Sequence, residues 1–163
     1  MKKVLYLDFE GSHAKGIREI GYLITEEKKI TLAEEKTDDE ALKSLAQLQT
    51  NEFEYIVAHN SFVEKNLIKK YFPYKLAHGS KNLRKQGWLD SLYVYRTLYP
   101  NLEKYDLKYL VNTFINSESL NDLTKNKCKT NAATFHHSLF DAICVYLLIK
   151  RLASKVNLNH FVR

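Results

Sequence analysis

Two acidic residues two positions apart, Asp8 and Glu10, follow an apolar run near the start of the chain, in "LYLDFEG". The run "KKVLYLDF" is mostly apolar, which is typical of a strand that is covered on both faces. Because side chains alternate along a strand, Asp8 and Glu10 point to the same face, with Tyr6 and Val4 behind them. Two carboxylates so close in a half-buried place repel each other unless something neutralises them. A divalent cation that prefers oxygen ligands, such as Mg²⁺, would do so.

Two further acids lie early in predicted helices. Glu64 comes after the short strand "EYIVAHN", in a helix through "SFVEKNLIKKYF". Asp141 lies in the long helix "HSLFDAICVYLLIKRLASK", where its neighbours are apolar and a carboxylate needs a partner or a metal. An isolated D-x-E is also common at the solvated end of a strand, so the metal prediction depends on all four acids together. Two strand acids and one acid from each of two helices are the inventory of a two-metal site, which clamps the attacking and leaving oxygens of a phosphodiester.

Several segments, taken in order, carry a resemblance to a known family: "LDFEG" with "IREIGYLI", "AHNSFVEKNLI", "DSLYVYRTLYP" and "HHSLFDA". Together they resemble the DEDDh 3′–5′ exonucleases, a family with the ribonuclease H-like fold. That family includes the proofreading subunit of bacterial DNA polymerase, RNase T and oligoribonuclease. The resemblance extends over about residues 4 to 150 and lies in the order and spacing of the motifs together. It implies a single exonuclease domain over residues 1–163, of the α/β class, with a mixed β-sheet flanked by helices.

The resemblance also implies a role for each residue of the site. It implies two Mg²⁺ or Mn²⁺ ions held by the four acids Asp8, Glu10, Glu64 and Asp141, with His136 as the general base that deprotonates the attacking water. The implied substrate is the 3′ end of single-stranded DNA or RNA, and the implied products are nucleoside 5′-monophosphates.

The implied contacts to the substrate come from the residues next to these acids: Phe9, Gly11, His59 and Asn60. For His59 and Asn60 we favour a structural role that orients the turn between strand and helix, since Asn at a helix start is a common cap; substrate contact is the alternative. We interpret Asp90 mainly as a helix cap too, with a supporting role beside the site as the alternative.

The chain departs from the family pattern at two positions. Glu64 stands where the family has aspartate, so the carboxylate is one methylene longer at a site whose geometry is demanding. Gly11 stands where the family usually has threonine, so contacts to the terminal nucleotide would come from the backbone there. The longer acid favours an alternative function, in which the chain is a catalytically weakened nucleic-acid-binding module with the same fold.

Two adjacent histidines compete for the role of base. On a continuous helix His137, four residues from Asp141, would share its face, whereas His136 would lie about 140° away. The family spacing instead indicates His136, provided that this residue precedes the helix on a loop. We take His136 as the base and keep His137 as the alternative.

The elements that must position these residues follow from the sequence pattern. A meander of three strands includes "GIREIGYLIT" and "KKITLAEE", and "TDDEALKSLAQLQ" begins a helix with a capping-box pattern. Two helices, "DSLYVYRTLYP" and "YDLKYLVNTFI", come before a polar connector at residues 116–131, and Pro73 is expected to end the preceding helix. The order β-β-β-α-β-α followed by helices indicates α/β layering around a mixed sheet.

Composition and cysteine content limit the setting of the chain. At 163 residues it is long enough for one domain with a core. The longest apolar run, "AICVYLLI", is too short to cross a bilayer, and the N-terminus reads as a strand rather than a signal peptide. Cys128 and Cys144 have no metal-type spacing, so we expect reduced thiols, a cytoplasmic location and no membrane partner.

The net charge of +6 is unevenly spread along the chain. Residues 1–40 have 7 basic and 10 acidic side chains, whereas residues 41–163 have 18 and 9. A basic body suggests an anionic partner such as nucleic acid, although solubility alone is an alternative explanation. The basic loop residues, which either contact phosphate or are simply solvated, are Lys81, Arg84, Lys85, Lys125, Lys127 and Lys129. The sequence leaves the oligomeric state open, with a homodimer as one option.

Overall fold

The computed structural model describes residues 2–72 and 82–163. The strands of this part of the chain are β1 (Lys3–Ser12), β2 (Gly16–Glu26), β3 (Lys29–Thr37), β4 (Tyr55–Ala58) and β5 (Trp88–Asp90). The helices are α1 (Asp38–Gln49), α2 (Ser61–Tyr71), α3 (Ser91–Leu98), α4 (Leu107–Phe114), α5 (Ser117–Lys127) and α6 (Ser138–Ala153). Short 3₁₀ turns occur at Leu83–Lys85 and Leu158–Phe161.

The five strands form one mixed sheet in the order β3-β2-β1-β4-β5. The meander β1-β2-β3 is antiparallel, and β4 and β5 are parallel to β1. Within the β1–β2 pair, Asp8 lies opposite Gly21 and Glu10 lies opposite Glu19, and the register shifts between Glu10 and Gly11. This arrangement confirms the predicted α/β class with a mixed sheet.

Alternation along β1 separates two apolar clusters, one on each face of the sheet. Leu5, Leu7 and Phe9 pack with α1 and α2 on one face. Val4 and Tyr6 pack on the other face, where most of the buried residues of α6 lie. Asp8 and Glu10 alternate in phase with Tyr6 and Val4, as predicted from the period of two, and the structure shows that this is the α6 face.

The predicted helices and the meander are confirmed, but two local predictions are wrong and one short strand was missed. The segment predicted as a polar connector contains α5, because Asn116 caps it by accepting hydrogen bonds from the N–H groups of Glu118 and Ser119. Only Leu120 and Thr124 of this helix are buried, so its apolar periodicity is too weak to read from the sequence. The capping box at α1 does not form, since Thr37 makes no side-chain cap. The short strand β5 was not expected.

The predictions for Pro73 and Lys81 fall on residues 73–81, outside the described part of the chain. Among the described helices, none has the length and hydrophobicity that a membrane span requires.

Candidate functional site

Four carboxylates converge from three elements at the end of β1. Asp8 and Glu10 extend from β1, Glu64 lies in the first turn of α2, and Asp141 lies in the first turn of α6. Ligand atoms of Glu10, His136 and Asp141 all lie within 4.8 Å of one another. The site therefore brings together acids that are as much as 133 positions apart in the sequence, from Asp8 to Asp141.

Three of these acids have a buried oxygen that finds no hydrogen-bond partner among the described residues. The atoms are Oδ2 of Asp8, Oε2 of Glu64 and Oδ1 of Asp141. A buried polar atom without a partner is costly, and buried carboxylate oxygens are normally paired or bind a metal. The cluster therefore matches the donor set of a hard divalent cation, whose ligands are carboxylate oxygens.

The pKa values of the same carboxyls are raised. Burial, followed by the charges of Glu64 and Asp141, raises the pKa of Asp8 well above its usual range. Burial raises the pKa of Glu64 to about 8 and that of Asp141 to about 7. The pKa of Glu10 is raised as well, mainly by burial, although the nearby His136 lowers it. Without a cation the cluster therefore retains protons near neutral pH, and a bound metal would have to displace them.

A glycine on β2 permits the close approach of α6 that places Asp141. Gly21 lies directly opposite Asp8, and a Cβ atom on it would lie 2.0 Å from the backbone N of Leu139 and 2.1 Å from the carbonyl carbon of Ser138. No side chain fits in that space, so the first turn of α6 rests directly on the sheet.

Two glutamates hold the first turn of α6 on the sheet, and sequence reasoning missed both. Glu19, which is only 8% exposed, accepts hydrogen bonds through Oε1 from Ser138 N at 2.6 Å and Ser138 Oγ at 2.7 Å. Glu35 on β3 accepts one through Oε2 from Leu139 N at 3.2 Å. The helix N-terminus thus gains the negative partners that it favours. The available signal was Glu19 standing among the apolar residues of β2.

The two histidines belong to different acidic groups. His136 precedes α6 and has a left-handed backbone (φ 68°). Its backbone N–H donates a hydrogen bond to Oδ2 of Asp141 at 3.2 Å. His137 is the N-cap residue of α6, and its ring lies with the carboxylates of Glu19 and Glu35, with ligand atoms within 4.8 Å. Neither residue lies inside the helix, so the helical period that favoured His137 does not apply. The role of His136 as base stays a prediction.

Asp90 joins the starts of two helices. Its carboxylate accepts hydrogen bonds from Leu92 N at the start of α3, and from Asn60 N and Ser61 N at the start of α2, each at 2.9 Å. The predicted cap on α3 is therefore confirmed, and the same carboxylate also fixes the turn before Glu64. Asn60 has a left-handed backbone (φ 66°) and makes no side-chain cap. The cap predicted for Asn60 is wrong, because Asp90 takes that place.

Two of the four residues predicted to contact the substrate have their side chains engaged elsewhere. Phe9 is 7% exposed and packs in the cluster on the face away from Asp8, so its side chain is turned from the carboxylates. The ring nitrogens of His59 lie 2.9 Å from Ser91 Oγ and 2.9 Å from the carbonyl O of Tyr105. His59 is thus bound on both sides, which agrees with the structural role.

No protein-family model and no curated protein sequence matches the chain. Similarity appears at the level of structure. Exonuclease X, in complex with 5′ overhanging duplex DNA, is 17% identical with a TM-score of 0.63, and the match covers 99% of this chain and 97% of that one. Escherichia coli exonuclease I, in complex with a dA16 oligonucleotide, is 14% identical with a TM-score of 0.58. The zinc-bound complex of the same enzyme with single-stranded DNA is 15% identical with a TM-score of 0.60.

The chain has their fold. The predicted ribonuclease H-like fold is thereby confirmed, while identities this low leave function to be argued from the site. The two matches to exonuclease I cover 94% and 98% of this chain but only 41% and 42% of that enzyme, so the chain spans about two fifths of its length.

Gly11, which follows Glu10 in β1, lines an open cavity of about 370 Å³. Its other walls include Ser12 and the α2 residues Phe62 and Val63, whose side chains are unusually exposed for apolar residues, Phe62 at 72%. A Cβ on Gly11 would lie 2.2 Å from the carbonyl O of Gly16, so the turn that forms this wall requires glycine. An adjoining cavity, which shares His13 and Asn66 with this one, is lined by Lys69 and Lys70.

Proposed function

We propose that this chain is a metal-dependent 3′–5′ exonuclease that hydrolyses phosphodiester bonds at the 3′ ends of single-stranded DNA or RNA. The observation that carries the proposal is a set of three buried carboxylate oxygens, on Asp8, Glu64 and Asp141, that have no hydrogen-bond partner within residues 2–72 and 82–163. Glu10 and His136 lie beside Asp141. Such a set is costly unless cations complete it, and cations at that place suit phosphoryl chemistry. The shared fold with exonucleases X and I supports the proposal.

In this proposal Asp8, Glu10, Glu64 and Asp141 hold two Mg²⁺ or Mn²⁺ ions. When bound, the ions supply Lewis-acid stabilisation of the attacking and leaving oxygens. The carboxylates give up their retained protons on binding, which makes metal affinity rise with pH. The zinc-bound neighbour is consistent with use of a divalent cation.

His136 acts as the general base. It is an exposed residue on the turn before α6, where its side chain reaches the edge of the carboxylate cluster. It takes one proton from the attacking water, whose oxygen forms a new bond to phosphorus. The bond from phosphorus to the 3′ oxygen breaks and a nucleoside 5′-monophosphate leaves. The 3′ oxygen takes one proton from solvent water, so the shortened strand ends in a 3′-hydroxyl.

The substrate end lies in the cavity beside Gly11. Phe62 offers an exposed ring on which a base can stack, and Gly11 and the side chain of Asn66 line the same cavity. Lys69 and Lys70 extend the path with positive charge. The neighbours are complexes with single-stranded or overhanging DNA, which supports a nucleic acid with a free end. We further propose that residues 1–163 form one exonuclease domain, that its location is cytoplasmic and that a homodimer is one option.

The direct test is digestion of 3′- and 5′-end-labelled oligonucleotides, of DNA and RNA, with Mg²⁺ or Mn²⁺. We expect a ladder that starts at the 3′ end, and Asp8→Asn should slow it at least about 100-fold. His136→Ala should slow it about 10²–10⁴-fold, whereas His137→Ala should retain most of the rate. Asp122→Asn, at an exposed acid on α5, is the matched control. The proposal fails if neither metal supports laddering, or if laddering survives Asp8→Asn.

The alternative of a weakened binding module rests on the length of Glu64. Its carboxylate is buried, and within the described residues its Oε2 has no hydrogen-bond partner, which supports a role for Glu64 as a ligand. Glu64→Asp separates the two functions. A large gain in turnover would indicate an impaired site in the native chain, whereas an unchanged or lower turnover would indicate a site adapted to glutamate.

A further inference from the structure

A second large cavity, of about 580 Å³, lies on the α6 face of the sheet, toward the start of β1. Val4 and Tyr6 of β1 and Tyr146 and Ile149 of α6 are among its walls. Tyr6 and Asp8 are two residues apart on one face, so the cavity begins about 7 Å from the acidic cluster along the strand. None of the four clustered carboxylates lines it, and its volume is in the range of small-molecule sites.

Three tyrosines, Tyr6, Tyr55 and Tyr146, converge on this cavity. The rings of Tyr6 and Tyr146 meet edge to face, with centroids 5.2 Å apart and an interplanar angle of 88°. Within residues 2–72 and 82–163, no hydrogen bond engages any of the three hydroxyls. None of these hydroxyls is among the buried unpartnered atoms of the described residues, so the three groups present ring surface and accessible donors to a ligand in the cavity.

Positive charge is available at the mouth of the cavity. Lys28 and Lys150 line it, and the Lys150 ammonium lies 5.5 Å from the centroid of the Tyr146 ring. Two neighbouring lysines are neutralised, Lys2 by Glu54 at 2.8 Å and Lys3 by Glu26 at 3.2 Å. Lys28 and Lys150 have no such ion pair in the described part of the chain.

The turn that presents Lys28 is conformationally strained. Glu27 and Lys28 form the two-residue connection between β2 and β3, with φ angles of 48° and 68°. Positive φ at both positions is the type I′ pattern, which strongly favours Asn-Gly over two long charged residues. Glu27 also lines the cavity. Among the described residues, the charged groups of the cavity that have no ion pair are therefore two cations, Lys28 and Lys150, and one anion, Glu27. Strain retained where side chains border a cavity points to a functional use of those side chains.

We propose that this cavity binds a nucleoside 5′-monophosphate, with the base among the three tyrosines and the phosphate at Lys28 and Lys150. A nucleobase has the flat surface and hydrogen-bonding edge that aromatic rings and phenol hydroxyls recognise, and a phosphate complements the unpaired lysines. The choice of a nucleotide rests on the proposed function, because that reaction releases one.

The test uses the full-length Asp8→Asn variant in EDTA, so that binding at the catalytic carboxylates is suppressed. AMP is titrated by calorimetry and by ¹H–¹⁵N correlation spectra. We expect saturable binding, with shifts centred on Thr25, Tyr55 and Lys150 rather than on Phe62 and Asn66. Adenosine and inorganic phosphate, as separate probes, should each bind at least about tenfold more weakly than AMP, since each loses one half of the contacts.

Variants at the cavity give an independent readout. Lys150→Glu, at an exposed position, should weaken AMP binding at least about tenfold, because it places a carboxylate where the phosphate binds. Tyr55→Phe removes only a hydroxyl and should weaken it about three- to tenfold. Lys108→Glu, an equally exposed charge reversal on α4, is the control and should change it less than about twofold.

Absence of shifts at about 5 mM AMP, or shifts confined to Phe62 and Asn66, would overturn the proposal. If inorganic phosphate binds with the same affinity as AMP, the cavity is a simple anion site. If adenosine binds with the same affinity as AMP, the cavity is an aromatic site without phosphate recognition. Either result rejects the nucleotide. Laddering of end-labelled oligonucleotides by the native chain reports the proposed exonuclease function separately, so failure of one proposal leaves the other standing.

Discussion

At the scale of single residues, the acidic cluster is organised around atoms that lack partners. Asp8, Glu64 and Asp141 each bury an oxygen that accepts no hydrogen bond from the part of the chain that the structure describes, and each has a raised pKa. A protein that used these acids only for structure would pair them with lysine, arginine or a backbone N–H. The repulsion among them is therefore the property that a divalent cation would relieve.

We predict that the metal-free protein loses stability as the pH rises from about 5 to about 8. The carboxyl of Glu64 has a folded pKa of about 8, above its unfolded value of 4.5, so its contribution to stability is fully present below the unfolded pKa. That contribution is lost as the pH rises through the folded pKa, because the unfolded chain releases its proton first. One pKa unit corresponds to about 1.4 kcal/mol, so the loss is of the order of a few kcal/mol.

The measurement is the thermal midpoint in EDTA across this pH range, where about 2–4 °C corresponds to 1 kcal/mol. Glu64→Gln should flatten the decline and raise the midpoint at pH 8, whereas Glu103→Gln, at an exposed acid, should not. At pH 8, Mn²⁺ should raise the thermal midpoint of the native chain more than that of Glu64→Gln. A midpoint that is independent of pH in the native chain would contradict this prediction.

At the scale of elements, the first turn of α6 determines the position of both Asp141 and His136. Gly21 lets the helix rest on the sheet, and Glu19 and Glu35 hold its first N–H groups. Strands β2 and β3 thus contribute to the site although none of their side chains belongs to the four predicted ligands.

We predict that Glu19→Ala destabilises the protein by about 1–3 kcal/mol, because the buried Ser138 N–H and hydroxyl lose their acceptor. Glu19→Gln keeps an oxygen acceptor and should cost less. Urea unfolding measures the free energy of unfolding of both variants. The Mn²⁺ affinity of the folded variants reports whether Asp141 keeps its position. We expect Glu19→Ala to weaken Mn²⁺ binding more than Glu19→Gln. Equal effects of the two variants on stability and on Mn²⁺ binding would contradict a role based on these hydrogen bonds.

At the scale of the whole molecule, charge separates along the chain. The N-terminal 40 residues, which provide Asp8 and Glu10, contain more acidic than basic side chains, and the rest contains twice as many basic as acidic ones. An acidic cluster set in a basic body suits the binding of metal and phosphate together.

We predict that the affinity for a single-stranded oligonucleotide falls steeply with salt, with a slope of log K against log[salt] of about −0.7 for each phosphate contacted. Lys69→Glu should weaken binding and reduce the slope, since Lys69 lines the cavity that continues from Gly11. Lys108→Glu, on α4, is the control. Fluorescence anisotropy of the Asp8→Asn variant measures the affinity and its salt slope, and an affinity independent of salt would contradict phosphate contact.

The sequence by itself determined the fold class, the five predicted helices and the face of β1 that carries Asp8 and Glu10. These follow from periodicity, helix-cap residues and alternation, which act over a few residues and are therefore readable locally. The motif spacing also predicted which acids belong together, and the structure places Glu10, His136 and Asp141 within reach of one another.

Only the tertiary structure decided what depends on contacts between distant elements. The separation of His136 from His137 follows from the turn before α6, which Glu19 and Glu35 hold from two other strands. Phe9 is turned to the opposite core, and His59 is engaged by Ser91 and Tyr105, so neither ring is free as the motif alone suggested. These partners lie tens of residues away in the sequence, and a local pattern contains no signal for packing that forms only when the sheet and its helices assemble.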